Sequence, residues 1–149
     1  DTLYMESSDL DLSLSQQIDS IINQYGFPGI SMVGKLASTT AFLLVQHSPK
    51  IHKYYKAAKK SYEQGDVIPQ QYALMTDRYL MKKKRRQIFG TQGFANKRIE
   101  KKYNGHGIIW PVKDFKHVEE RRKNVGISTS IEEYAKSIDC IIPEKYYKR

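Results

Sequence analysis

The sequence predicts a mainly α protein, an antiparallel helical bundle of about six helices with a small β-hairpin near residues 86–112. Two observations lead to this prediction. Apolar residues recur at intervals of three and four along most of the 149-residue chain, as they do on one face of a helix. Glycine and proline separate these segments by short connections, which favour antiparallel neighbours. A chain of this length is expected to form a single domain, residues 1–149.

The first two helices follow from periodicity and from the residues that stop them. Residues 1–12 are expected to be an irregular acidic leader. A first helix over residues 13–25 begins at Ser13, whose spacing to Gln16 fits a capping box, and Gly26 stops it. A second helix is expected over residues 32–47. Because this segment is apolar or small nearly all round, it is expected in the middle of the bundle.

Proline and glycine set the positions of the third and fourth helices. Ser48 and Pro49 form a helix-start signal, so the third helix is expected to run from there to about Gln64. Pro69 opens the fourth helix, which is expected over residues 69–84.

Several glycines interrupt helical periodicity after residue 86. Two short strands are therefore expected near residues 87–89 and 107–110, on either side of a basic insertion loop, residues 94–107. The sequence then returns to helical patterns. Asp114 is expected to cap a fifth helix that ends at Gly126, and a capping box of Thr129 and Glu132 is expected to start a sixth over residues 130–138.

Composition excludes some classes of protein. Cys140 is the only cysteine, so an internal disulfide and a cysteine-rich metal site are excluded. The sequence has no apolar run of eighteen residues, so no membrane span is expected. The chain begins with Asp1, which is consistent with a cytoplasmic protein or with one secreted after removal of a leader that these residues do not include.

The net charge of +9 is unevenly distributed. Residues 1–34 hold five acidic side chains and no lysine or arginine, whereas all 25 basic side chains lie in the rest of the chain. Five are consecutive: Lys82, Lys83, Lys84, Arg85 and Arg86. Such clusters attract phosphates without sequence preference, which predicts weak, salt-sensitive binding of nucleic acid or another polyanion. The alternative is a solvated helix end that the helix dipole favours.

Four short motifs occur in one order along the chain. They are Gln46-His47, Asp77-Arg78, Phe89-Gly90-Thr91-Gln92, and Arg121-Arg122 followed by Gly126. In this order the chain resembles an uncharacterised bacterial family known only as a domain of unknown function. The resemblance covers about residues 13–134 and departs from the family pattern in the insertion. It implies a shared fold and a shared polar site, with no known activity.

The motif residues are predicted to form a polar His/Asp/Arg/Gln cleft. His47 and Asp77 are the candidate catalytic residues, because histidine works as a base near neutral pH and a carboxylate can orient it. The candidate ligand-binding residues suit an anionic small molecule that carries a phosphate or carboxylate, and they are Gln46, Arg78, Thr91, Gln92, Arg121 and Arg122.

Three interpretations of this cleft remain open. One is a small hydrolase- or transferase-like enzyme acting on an anionic substrate. Another is a non-catalytic ligand-binding or protein-interaction domain, part of a secreted or toxin-like system. The third is a hydrogen-bond network that only fixes the helix register. No cofactor is expected, and no metal, because His47 and His52 are five residues apart and do not share a helix face.

Overall fold

The computed structural model describes the backbone of residues 2–147 and the side chains of residues 13–147 apart from Ser15. The chain divides into two compact units, residues 1–72 and residues 73–149. Within residues 2–147 there are seven α-helices and a three-stranded sheet, which confirms a mainly α fold with a small sheet. The seven helices are in line with the expected number of about six, and the single domain stays a prediction.

The first unit is helical. It contains α1 (Thr2–Tyr25), α2 (Ile30–His47), α3 (Ile51–Glu63) and the first turn of α4 (Pro69–Lys82). Helix α2 packs against both α1 and α3. The buried apolar residues of these elements include Ile18, Ile22, Phe27, Phe42, Val45, Ile51, Tyr54 and Ala58. The rings of Phe27 and Phe42 lie 4.4 Å apart between centroids.

Two predictions for this unit were wrong. Residues 2–12 are helical and not an irregular leader; no glycine or proline interrupts the first 25 residues, so helix formation can continue to the start. Helix α2 is not enclosed on all sides, because Leu36 is 82% exposed and Leu43 is also exposed. Packing against two neighbouring helices covers only the face that carries Phe42 and Val45. At Gly34 the helical dihedrals are interrupted, with φ at +79°.

One carboxylate of α1 binds the start of α3. Asp19 of α1 accepts hydrogen bonds from Lys50 Nζ at 2.9 Å, Lys53 Nζ at 2.7 Å and the Tyr54 hydroxyl at 2.7 Å. The donors all lie at the start of α3, so one side chain holds α1 against that helix end.

The second unit combines short helices with the sheet. After the rest of α4 come β1 (Gly93–Phe94), α5 (Lys97–Lys102), β2 (Gly107–Ile109), α6 (Val118–Asn124), α7 (Ile131–Ser137) and β3 (Cys140–Ile141). The strand order is β1-β2-β3, with β1 antiparallel and β3 parallel to β2. The core cluster consists of Ile109, Val112, Phe115, Val118, Ile131, Ala135 and Tyr146.

The small β element expected near residues 86–112 is present, because β1 and β2 pair antiparallel within that range, but the expected position of its first strand was wrong. The strand near 107–110 is present as β2, but residues 87–89 form no strand, and Gln87 makes only an isolated parallel bridge with Val112. The partner of β2 lies further along at Gly93–Phe94, and β3 adds pairing outside residues 86–112. The insertion 94–107 is not only a loop, because Asn96 caps α5 through its bond from Ile99 N at 2.9 Å.

The last two predicted helices exist with shifted starts. Asp114 adopts a left-handed backbone with φ at +45° and makes no capping bond, and a 3-10 turn, Phe115–His117, precedes α6. The capping box of α7 is one residue later than predicted. Ser130 Oγ accepts from Glu133 N at 3.1 Å and Glu133 Oε2 accepts from Ser130 N at 2.8 Å.

Candidate functional site

A tight loop, residues 87–92, is the centre of the polar cluster in the second unit. Gln87 is fully buried and closes the loop on itself. Its Oε1 accepts from Gln92 N at 2.9 Å, while its Nε2 donates to Gln92 O at 3.0 Å and to Trp110 O at 2.6 Å. Gly90 turns the chain with φ at +70°, a region that glycine enters without steric cost. The two ends of the loop are therefore joined by one amide side chain.

Asp77 of α4 holds the amide groups of this loop. Its Oδ1 accepts from Ile88 N at 2.7 Å and from Phe89 N at 3.1 Å. Its Oδ2 accepts from Phe89 N at 3.1 Å and from both the amide and the hydroxyl of Thr91 at 2.9 Å. Asp77 is 0% exposed, and both of its carboxylate oxygens accept hydrogen bonds from the loop. The arrangement replaces the partners that a helix or strand gives to backbone amides.

Two arginines of α6 hold the carbonyl groups of the same loop. Arg121 Nε donates to Ile88 O at 2.9 Å, and its Nη2 donates to Lys113 O at 2.6 Å. Arg122 is 1% exposed and donates from Nη1 to Phe89 O at 2.9 Å and from Nη2 to Thr129 O at 2.8 Å. Residues 88 and 89 therefore bind a carboxylate through their amides and guanidinium groups through their carbonyls.

The buried charges have perturbed acidities. Burial raises the pKa of Asp77, and the hydrogen bonds from Ile88, Thr91 and Phe89 act in the opposite direction. Burial lowers the pKa of Arg122, and the charges of Glu119 and Asp77 among others partly offset this. Arg122 keeps its charge at every accessible pH. Its positive charge therefore favours an ionised Asp77 on the other side of the loop.

A cleft of about 410 Å³ opens next to the loop. Its lining includes Arg78, Gln92, Tyr134 and Cys140. Arg78 Nε donates to Gln92 Oε1 at 3.1 Å, and burial lowers the pKa of Arg78. The Tyr134 hydroxyl donates to Thr91 O at 2.7 Å. The cleft thus combines a guanidinium group, an amide and a phenol on one surface of the second unit.

Burial also shifts the pKa of two of the other titratable side chains that line the cleft, a lining that includes Glu100 and Asp139 as well. It raises the pKa of Tyr134 and that of the Cys140 thiol. Cys140 is therefore a protonated thiol near neutral pH and a weak nucleophile.

The predicted site residues fall into two groups. The first group belongs to or contacts the loop of the second unit, and it consists of Asp77, Arg78, Thr91, Gln92, Arg121 and Arg122. Gln46 and His47 belong to the first unit, where Gln46 is buried and His47 is exposed beside a cavity of about 340 Å³. A shared cleft with His47 stays a prediction, as do the catalytic roles of His47 and Asp77.

Three residues that sequence reasoning did not single out belong to this site. Gln87 lies two residues before the Phe89-Gly90-Thr91-Gln92 motif, between a basic run and an apolar pair, which is an unusual position for an amide. Tyr134 is four residues after the cap of α7, so its helix position alone gave no functional signal. Cys140 was considered only for disulfide and metal chemistry, and its pairing in β3 is not encoded by a local pattern.

The predicted polyanion surface lies at the end of α4. Residues 82–86 are all exposed, and Lys84 takes a left-handed backbone with φ at +56° where the chain leaves the helix. Among residues 13–147, apart from Ser15, no cluster of three His, Cys, Asp or Glu side chains is arranged to hold a metal ion. Each helix in the described part of the chain is too short or too polar to cross a membrane.

Comparison with known proteins identifies a family. Comparisons with curated proteins and with solved structures gave no match. The sequence profile of a family of unknown function, DUF6624, matches residues 2–145. This match covers nearly the whole chain and includes all four motifs, Gln46-His47 through Gly126. The chain therefore belongs to DUF6624, a family of unknown function.

Proposed function

We propose that the second unit is a non-catalytic binding domain for a small anionic molecule that carries a carboxylate or a phosphate. The observation behind this proposal is the half-buried guanidinium of Arg78 in the wall of the 410 Å³ cleft, with its Nε fixed by Gln92 Oε1 at 3.1 Å. A guanidinium group matches the planar geometry of carboxylate and phosphate oxygens. Partial burial strengthens such a contact, because water competes less for the charge.

The position of Arg78 is set before any ligand arrives. Gln92 Nε2 donates to Thr91 O at 3.0 Å and to Thr91 Oγ1 at 3.2 Å, which leaves Gln92 Oε1 for the arginine. Thr91 is in turn held by Asp77. A chain of hydrogen bonds therefore runs from the buried carboxylate to the cleft, and preorganisation of this kind lowers the entropic cost of binding.

The dimensions of the cleft also suit a small molecule. Its volume of about 410 Å³ lies within the range of roughly 300–1,000 Å³ that is usual for small-molecule sites. Tyr134 and Gln92 line the cleft, while Phe94 and Ile138 supply apolar surface there.

The chemistry of the cleft favours binding over the hydrolase or transferase hypothesis. Asp77 uses both oxygens on four donors of the loop, so it acts as an anchor and not as a base. Cys140 has a raised pKa, so its thiol is a poor nucleophile at neutral pH. An enzyme that uses His47 and Asp77 remains the alternative hypothesis.

The binding proposal is tested by thermal shift and calorimetry with inorganic phosphate, succinate, citrate and glycerol phosphate. A ligand that binds only the folded protein raises its melting temperature, and we expect this for at least one of these anions. Arg78→Met should weaken that binding at least tenfold, while Arg78→Lys should weaken it less. Arg86→Met is the matched control, because Arg86 is exposed and lies outside the cleft.

Two outcomes would contradict the proposal. One is that none of the four anions changes the melting temperature of the unmodified protein at millimolar concentration. The other is equal binding by the unmodified protein and by Arg78→Met. The variant His47→Gln tests the enzyme hypothesis. It should leave anion binding unchanged if the binding site lies wholly in the second unit.

A further inference from the structure

An aromatic pair, an exposed Phe94 and a half-buried Trp110, adjoins the basic run of the second unit. The ring centroids of Phe94 and Trp110 lie 5.6 Å apart in an edge-to-face arrangement, and Phe94 is 38% exposed. Trp110 Nε1 donates to Arg85 O at 2.7 Å. This bond places the indole directly beside residues 82–86, so aromatic and basic surface are continuous there.

A second basic segment follows Phe94 in the chain. Helix α5 begins three residues after Phe94 and packs against β2, the strand to which Phe94 is paired. Its cationic side chains are all exposed, and they are Lys97, Arg98, Lys101 and Lys102. Along the chain, Phe94 therefore lies between two clusters of positive charge.

Each basic cluster also has an aromatic ring of its own. Lys83 Nζ lies 4.9 Å from the centroid of the Tyr79 ring, and Lys102 Nζ lies 5.1 Å from that of Tyr103. The charge itself is concentrated in this unit. Residues 73–149 contain 19 lysines and arginines against nine acidic residues, whereas residues 1–72 contain six against seven.

We propose that this aromatic-basic surface, formed by residues 82–86, Phe94, Trp110 and α5, binds single-stranded nucleic acid. Lysine and arginine clusters attract any polyanion. An exposed ring between them adds a platform on which an unpaired base can stack, and stacking tolerates any base sequence. In a duplex the base faces are covered by neighbouring pairs, so the same surface prefers a single strand.

The chain offers a direct optical probe of this contact, because Trp110 is its only tryptophan. Titration of the full chain with oligo(dT) at low salt should change the intrinsic fluorescence as bases reach the pair. Affinity should fall as salt rises, with a log–log slope of about −0.7 for each phosphate neutralised. A duplex and a heparin fragment of equal charge serve as competitors that supply charge without accessible bases.

Variants separate stacking from charge. Phe94→Ala should weaken oligo(dT) binding about tenfold and leave heparin binding unchanged, while Phe94→Tyr should restore the affinity. Lys97→Gln with Lys101→Gln should weaken all polyanions and reduce the salt slope. Lys116→Gln with Lys136→Gln removes two exposed lysines elsewhere in the unit and should have a much smaller effect.

The proposal is overturned if duplex or heparin binds as tightly as oligo(dT), or if Phe94→Ala binds oligo(dT) as the unmodified chain does. Absence of binding at low salt would also overturn it. Far-ultraviolet circular dichroism of each variant separates a binding defect from a folding defect. Arg78→Met tests independence from the anion cleft, because it should weaken small-anion binding at least tenfold and keep the affinity for oligo(dT).

Discussion

The two units differ in the hydrogen bonding of their buried polar groups. In the first unit, Ser38 Oγ and Gln71 Oε1 are buried without a hydrogen-bond partner among the described residues, and its main carboxylate anchor, Asp19, is 17% exposed. In the second unit, Asp77 and Arg122 are almost completely buried, and each makes several hydrogen bonds. The first unit is stabilised mainly by apolar packing between helices. The second is stabilised in addition by charged side chains that bind the backbone groups of a loop.

This difference shows that side chains can supply the hydrogen-bond partners that backbone groups otherwise find in regular secondary structure. The helices of the first unit satisfy their own backbone groups, so their side chains are needed only for packing. The loop at residues 87–92 has no such internal pairing, and ionised side chains take the place of the missing strand or helix partners. Loss of one of those side chains leaves several buried backbone groups without partners, which costs more than loss of one exposed contact.

The largest expected effect is that of Asp77→Ala. This change removes the acceptor of three loop amides and of the Thr91 hydroxyl and takes away one of the negative charges near Arg122, so we expect a loss of about 3–5 kcal/mol in the free energy of unfolding. Urea unfolding followed by circular dichroism measures it. Asp114→Ala, at a half-exposed carboxylate, is the control and should cost far less. A loss below about 1 kcal/mol for Asp77→Ala would show that water replaces the carboxylate.

A smaller loss is expected for Arg122→Lys. Lysine keeps the charge but cannot reach Phe89 O and Thr129 O together as the guanidinium does. The expected decrease in the free energy of unfolding is about 1.5–3 kcal/mol. Lys123→Arg, at the exposed neighbouring position, should change it by less than about 0.5 kcal/mol. Equal stability of Arg122→Lys and the unmodified protein would mean that charge alone suffices.

Gly90→Ala tests how closely the loop is packed. A Cβ atom there would overlap Ile131 Cδ1, and the φ of +70° disfavours alanine. Gly105→Ala is the matched control, since its φ is +91° but its Cβ would meet no atom within 4 Å. Both changes carry strain of about 1–2 kcal/mol, so the additional loss in Gly90→Ala measures overpacking, about 1–3 kcal/mol. Equal losses would place the loop further from α7 than described.

The smallest effect is expected in the first unit and depends on pH. Hydrogen bonds from Lys53, Tyr54 and Lys50 lower the pKa of Asp19. Because the folded-state pKa lies below the unfolded value of about 3.9, the stabilisation is complete above that value and is lost as pH falls further. The urea midpoint of Asp19→Asn should therefore change less than that of the unmodified protein between pH 5 and pH 2 (roughly the range over which such a carboxylate protonates). Parallel pH profiles of the two proteins would contradict this role for Asp19.

The sequence predicted elements whose signals are local. Gly65 and Pro69 marked the end of α3 and the start of α4, and the structure agrees to within two residues. Strand β3 was missed because only two residues, Cys140 and Ile141, take part in it. Its parallel partner lies more than thirty positions away, and no local pattern records such a pairing.

Several residues of the polar cluster could be predicted from the sequence, but their hydrogen-bond partners could not. Asp77, Thr91, Gln92 and Arg122 do meet at one loop. Their partners are largely backbone groups, which every residue possesses, so the sequence carried no sign that the carboxylate would bind amides. For the same reason Gln87, which closes the loop, could not be distinguished from an ordinary polar residue.

The hydrogen bonds from the loop amides to Asp77 affect the rate at which these amides exchange hydrogen with solvent. The amide protons of Ile88, Phe89 and Thr91 point at a buried carboxylate, although none of these residues lies in a helix or strand. Such protons exchange with deuterium only when the local structure opens. The loop therefore has the exchange protection of a core element, and the opening that releases these protons is also the one that would free Thr91 and Gln92 beside Arg78.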